Sequence, residues 1–134
     1  MLQGEARLSK ANLQTYAHTL LRVVAGFTYS LHGFQKLFGY FGGSRAHTFS
    51  EMWIAAVLEC FGGLLILVGL FTRPVAFLLC GEMAVAYFKQ HFPKGFWPIS
   101  NGGELAVLYC FIFLYLMSSG AGPWSLDRKI RKKS

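Results

Sequence analysis

The chain has 134 residues, 54% of them hydrophobic and 16% aromatic, with a mean hydropathy of +0.41 and a formal net charge of +7. So apolar a composition in so short a chain excludes an ordinary water-soluble domain and indicates an integral membrane protein, residues 1–134 forming one membrane domain. The positive balance does not lead to nucleic acid, because the basic residues lie in short runs beside apolar segments, where they set topology and meet anionic lipid headgroups.

A helix needs roughly 20 mostly apolar residues to cross a bilayer, and four stretches qualify as candidate spans. The first is predicted at 16–38, behind the polar lead "MLQGEARLSKANLQT"; no small-residue cleavage site follows it, so it is read as a retained span and not as a signal peptide. The second covers 52–71. "GLFTRP" at 69–74 then makes a tight turn, with Pro74 suited to the first turn of a helix, so the third span at 75–92 forms an antiparallel hairpin with the second. The fourth covers 104–118. The connections "GYFGGSRAHTFSE" and "HFPKGFWPISNGGE" are rich in Gly, Pro and aromatics and are expected to lie at the interface as a cap, with Trp53, Trp97 and Trp124 as anchors near helix ends. Arg7, Lys10, Arg73, Arg128, Lys129, Arg131, Lys132 and Lys133 fall on one side, so both termini should be cytoplasmic. The expected fold is all-α, a four-helix transmembrane bundle.

The polar residues inside these spans carry the functional argument. Arg22, Gly26, Tyr29, Gly33 and Lys36 recur every three or four positions and share one helix face. Glu59, Glu82 and Glu104 on the other helices are the available counter-charges. Counting depth along each helix at about 1.5 Å per residue levels Arg22 with Glu82 as an intramembrane ion pair near the inner surface. The same count groups His32, Lys36, Glu59 and Glu104 near the outer surface, with His91 and Asn101 at their rim. Such clusters either lock helices together or bind a substrate. His32, His47 and His91 lack any metal-ligand spacing, so no metal is expected. Cys60, Cys80 and Cys110 stand singly in three apolar spans with no CxxC or CxxCH, which reads as structural cysteine and no covalently bound cofactor. An electron carrier would then be a quinone or a partner's cofactor.

"LHGFQKLFG" (31–39), "LECFGGLLILVGLFTRP" (58–74), "NGGELAVLY" (101–109) and "GAGPWSLD" (120–127) together resemble the DoxX family of small bacterial four-helix membrane proteins. The family's polar positions correspond here to Arg22, His32, Gly33, Lys36, Glu59, Gly62, Gly63, Arg73, Asn101, Glu104, Ser125 and Asp127. The resemblance implies a bacterial cytoplasmic (inner) membrane location and a redox-linked, quinone-associated subunit of a membrane oxidoreductase system, partnered by other membrane or redox subunits. The alternative is a non-catalytic accessory or assembly subunit of a larger redox or photosynthetic complex. Whether the chain is itself an enzyme stays open at this level. A transporter is disfavoured, since one four-helix unit without a broken helix offers little for alternating access.

Overall fold

The computed structural model describes residues 2–132, so Lys133 and Ser134 of the basic tail lie outside the described residues. Among them the secondary structure is helical throughout. Helix α1 (Leu2–Phe38) is 37 residues long and begins far earlier than the predicted span. Its lead is rich in Ala, Leu, Gln, Glu, Lys and Arg, which are good helix formers and outnumber Gly4, Ser9, Asn12 and Thr15, so the helix continues upstream of the apolar run. Residues 3–14 are all exposed and project about 20 Å beyond the bundle.

Helix α2 (Glu51–Val68) starts at Ser50, whose side chain accepts a bond from the Trp53 amide at 3.1 Å, and widens into a π-turn over Leu58–Gly62. It stops at Gly69, whose φ of 70° is the left-handed cap that ends helices. Phe71 also sits left-handed, at φ 50°, and completes a two-helix hairpin into α3 (Thr72–Ala86). The chain runs on through a second π-turn, Tyr87–His91. After a one-turn helix (Pro98–Asn101), α4 (Glu104–Ser119) returns along α3, and the short α5 (Leu126–Arg131) closes the chain behind an N-cap by Ser125.

The four long helices pack as two pairs, α1 on α2 and α3 on α4. Glycine makes the first pair possible. A Cβ on Gly33 would strike the Cys60 backbone, and one on Gly26 would reach the backbones of Leu67 and Gly63. Small residues at such crossings let two helices approach to backbone contact, the main source of cohesion between helices that lipid surrounds. Across the bundle, Tyr29, Ile66, Ala76, Leu79, Phe113 and Leu116 form the core, with Tyr29 edge-on to both Tyr109 and Phe113.

The outward faces are as apolar as the core. Leu20, Val24 and Phe27 on α1, Ile54 and Phe61 on α2, Phe77 and Val85 on α3, and Leu108, Phe111 and Leu114 on α4 are all exposed. Among the described residues α2 alone is both long and apolar enough to cross a membrane on its own composition. Arg22, His32, Gln35 and Lys36 interrupt the apolar run of α1, and α4 has only 16 residues.

Candidate functional site

The hairpin between α2 and α3 marks one end of the bundle, and buried charge there is spent on helix ends. Arg22 is 2% exposed. Its guanidinium donates to the carbonyls of Ile66 (3.1 Å), Leu67 (2.8 Å) and Trp124 (2.6 Å). The first two are last-turn carbonyls of α2 at the negative end of its dipole, and the Ile66 carbonyl also accepts from the Gly69 amide at 3.1 Å. Asp127 does the converse for α3. Its two carboxylate oxygens accept from the amides of Phe71 (2.8 Å) and Thr72 (3.0 Å), capping that helix from across the chain. Arg73 donates to the carbonyls of Met117 and Ser118 at the end of α4. His18 bridges the Tyr115 hydroxyl and the Gly120 carbonyl, both at 3.0 Å. A carbonyl only accepts, so Nε2 carries the proton and Nδ1 accepts from Tyr115.

The expected Arg22–Glu82 ion pair is therefore not formed. Depth measured from the predicted span ends placed them level, but Arg22 reaches the hairpin itself. Glu82 lies ten residues into α3, about 15 Å further along the bundle.

The opposite half encloses a cavity of about 590 Å³ between all four helices. Lys36 donates to Glu59 Oε1 at 2.6 Å, and the Tyr29 hydroxyl donates to Glu82 Oε2 at 3.1 Å. Glu59 is 3% exposed, and its second oxygen, like the second oxygen of Glu82, is buried without a hydrogen-bond partner. Arg22 Nε and Thr72 Oγ1 at the hairpin end are also unbonded, but the first belongs to a head already anchored by three carbonyls. His32 and Tyr109 complete the polar lining, ring edge to ring face at 6.2 Å. Met52, Ile54, Leu58, Leu78, Val85 and Leu105 make the apolar wall.

Both π-turns open onto this space: Leu58 and Glu59 from one, Lys89, Gln90 and His91 from the other. Such single wide turns are concentrated at functional sites, where they re-aim side chains that a regular helix would point elsewhere. Lys89 also pairs with Glu51 at 2.7 Å, linking α3 to α2 beside the cavity.

Of the residues expected in the outer cluster, His32, Lys36, Glu59 and His91 line the cavity together. Glu104 does not. It sits exposed in the first turn of α4, where a carboxylate suits the positive end of the helix dipole. Asn101 lies behind the wall, its amide donating to the Tyr87 hydroxyl (3.2 Å) and the Gly95 carbonyl (2.7 Å) while its oxygen accepts from the Gly103 amide. It shapes the loop that carries His91, whose Nδ1 bonds the Asn101 carbonyl at 3.1 Å. Glu82, Tyr29 and Tyr109, with Glu51, Lys89 and Gln90, are polar lining residues that the outer cluster lacked. Tyr29 was detectable from its place on the Arg22–Lys36 face.

The cysteines depart from expectation as well. Cys60 is buried against α1, but Cys80 on α3 and Cys110 on α4 meet with their sulfurs 3.7 Å apart.

The DoxX family profile matches residues 17–92, which hold α1 from its entry into the bundle, all of α2 and α3, and most of the cavity lining. This chain belongs to the DoxX family. An uncharacterized protein of Haemophilus influenzae is 45% identical over 125 residues, spanning 88% of this chain and 93% of that relative. A protein of Mycobacterium tuberculosis described as an uncharacterized membrane protein is 25% identical, spanning 85% of this chain and 81% of its own length. No solved structure matches. As a DoxX protein the chain is membrane-associated, which accounts for an exterior as apolar as its core.

Proposed function

We propose that this DoxX protein is a multi-pass four-helix protein of the bacterial cytoplasmic membrane, with both termini in the cytoplasm, serving as a quinone-associated subunit of a membrane oxidoreductase system. The topology rests on charge. Arg7, Lys10, Arg73, Arg128, Lys129, Arg131 and Lys132 gather at the hairpin end, whereas Arg45 and Lys94 are the basic residues in the loops of the other end, and lysine and arginine are retained on the cytoplasmic side.

The observation that carries the functional reading is the pair of buried glutamates around the cavity, each with one unbonded carboxylate oxygen. A buried acceptor without a donor costs on the order of 1–3 kcal/mol, and a ligand that supplies donors relieves it. About 590 Å³ with an apolar wall and a few convergent polar groups matches sites for planar, ring-sized molecules. The residues fit a quinone head in either redox state. Lys36 offers a bond to a carbonyl, and Glu59, Glu82 and the free nitrogen of His91 accept from a hydroxyl. A bound quinone supplies two-electron, two-proton chemistry. In this reading the chain holds the head against Tyr29 and Tyr109, keeps Glu59 placed through Lys36, and passes a proton along Tyr29 and Glu82.

Glu59→Gln and Glu82→Gln test this, because both preserve size and hydrogen bonding but cannot ionise. Each should weaken binding of a decyl-tailed benzoquinone at least tenfold, with the melting temperature in detergent little changed. If quinone binding is unaffected while the variants detach from co-purifying membrane subunits, the accessory-subunit reading replaces this one. The exposed Phe49, Trp97 and Ile99 in the loops at the cavity end, each more than 60% exposed, favour that second reading as a docking surface.

A further inference from the structure

Cys80 and Cys110 stand apart from the cavity and its chemistry; neither lines it. They sit on α3 and α4, one of the two closely packed pairs of helices, and both are partly exposed where Cys60 is buried. Their sulfurs are 3.7 Å apart, and the Cys110 thiol also approaches the Cys80 carbonyl at 3.5 Å. A disulfide brings sulfurs to about 2.05 Å, so about 1.7 Å remains to be closed. A χ1 rotation at each cysteine moves a sulfur by that order without separating the helices.

We propose that Cys80 and Cys110 form an oxidisable dithiol that closes into a disulfide across α3 and α4. The S–H bond of each thiol breaks and one S–S bond forms. The two electrons and two protons pass to a lipid-soluble two-electron acceptor, as a diazene takes them to become a hydrazine. The surroundings decide which reagents take part. The thiols lie midway along helices whose outer faces carry Phe77, Val85, Leu108 and Phe111, so apolar oxidants reach them and the anionic tripeptide glutathione does not. Once formed, the bond is sheltered from the reductant that keeps cytosolic thiols reduced. It ties together the helices that present Glu82 and Tyr109 to the cavity, two residues and one residue from the cysteines, so the oxidation state of the pair is coupled to the site through less than one turn of each helix.

Cys60 provides the internal control, since it has no sulfur neighbour among the described residues and is walled by Gly33. The full chain, purified reduced in mild detergent, is treated with the diazene diamide, alkylated after unfolding and analysed by peptide mass spectrometry. The expected result is loss of the Cys80 and Cys110 thiols together, a linked peptide joining the third and fourth helices, and a Cys60 that still alkylates. Cys80→Ser should leave Cys110 alkylatable, and Cys110→Ser should leave Cys80 so. Three alkylatable cysteines after oxidation, or links that run only between molecules, overturn the proposal. The serine variants keep the result readable, since a single substitution of a partly exposed thiol by a hydroxyl of similar size should leave the bundle folded, and melting curves in the same detergent check this.

Discussion

The two ends of this bundle use the same kinds of residue to opposite effect. At the hairpin end Arg22, Arg73 and Asp127 satisfy backbone groups that the helices leave bare, and each charged head meets two or three fixed partners. At the cavity end Lys36 and Tyr29 each reach one oxygen of a glutamate and leave the other bare over about 590 Å³ of open space. A charge whose bonds are all made to backbone can only hold a structure together. One left with an open acceptor in a cavity has something to offer a ligand. The same kind of charged side chain thus reads as architecture or as a site according to how many of its bonds the protein completes.

The contrast breaks most visibly at Arg22. Arg22→Leu removes the donor from three carbonyls, two of them in the last turn of a helix, and should cost about 3 kcal/mol or more. Arg22→Lys should recover only part of that, because one ammonium cannot span carbonyls of α2 and the Trp124 segment together. Thermal unfolding in detergent reads both. Equal melting temperatures for wild type and Arg22→Leu would show that the hairpin end is not held by this residue.

A smaller loss is expected at Asp127, where alanine deprives α3 of its two capping acceptors. Losing a cap costs roughly 1–2 kcal/mol, and here Phe71 also relies on that bond to hold its left-handed backbone. Hydrogen exchange should rise at the start of α3 and stay unchanged around the cavity. Spread of the increase to residues 82–91 would mean that the two ends are coupled and that the contrast between them is too sharp.

The smallest effect sharpens the other side. Glu104 belongs to the motif "NGGELAVLY", yet it is exposed and bonds nothing in the cavity. Glu104→Gln should change stability by no more than about 0.5 kcal/mol and leave decyl-benzoquinone binding intact, in contrast to Glu59→Gln. Isothermal binding measurements on the two variants side by side decide it, and a loss of binding in Glu104→Gln would extend the site to the mouth of α4.

What the sequence determined by itself was local. Apolar runs, the "FTRP" turn and the 3–4 spacing on α1 were enough for the four long helices, the hairpin and the inward face that carries Arg22, Gly26, Tyr29, Gly33 and Lys36, because periodicity along one helix depends only on its own 3.6-residue repeat. The grouping of Lys36 with Glu59 was also within reach, since both fall in the outer half of their helices, and the long lysine side chain spans the difference between two residues from one helix end and eight from the other. Tertiary structure decided the rest. Whether Arg22 meets Glu82 or a helix end depends on how far α1 slides along α2, and that offset is set where Gly26 and Gly33 meet the α2 backbone. Two π-turns rotate Glu59 and His91 about the helix axis, a change that no periodicity of a regular helix anticipates. The meeting of Cys80 and Cys110 follows from the facing registers of α3 and α4, 30 residues apart in the chain. Each is a relation between helices, fixed by packing, whereas sequence pattern describes one helix at a time.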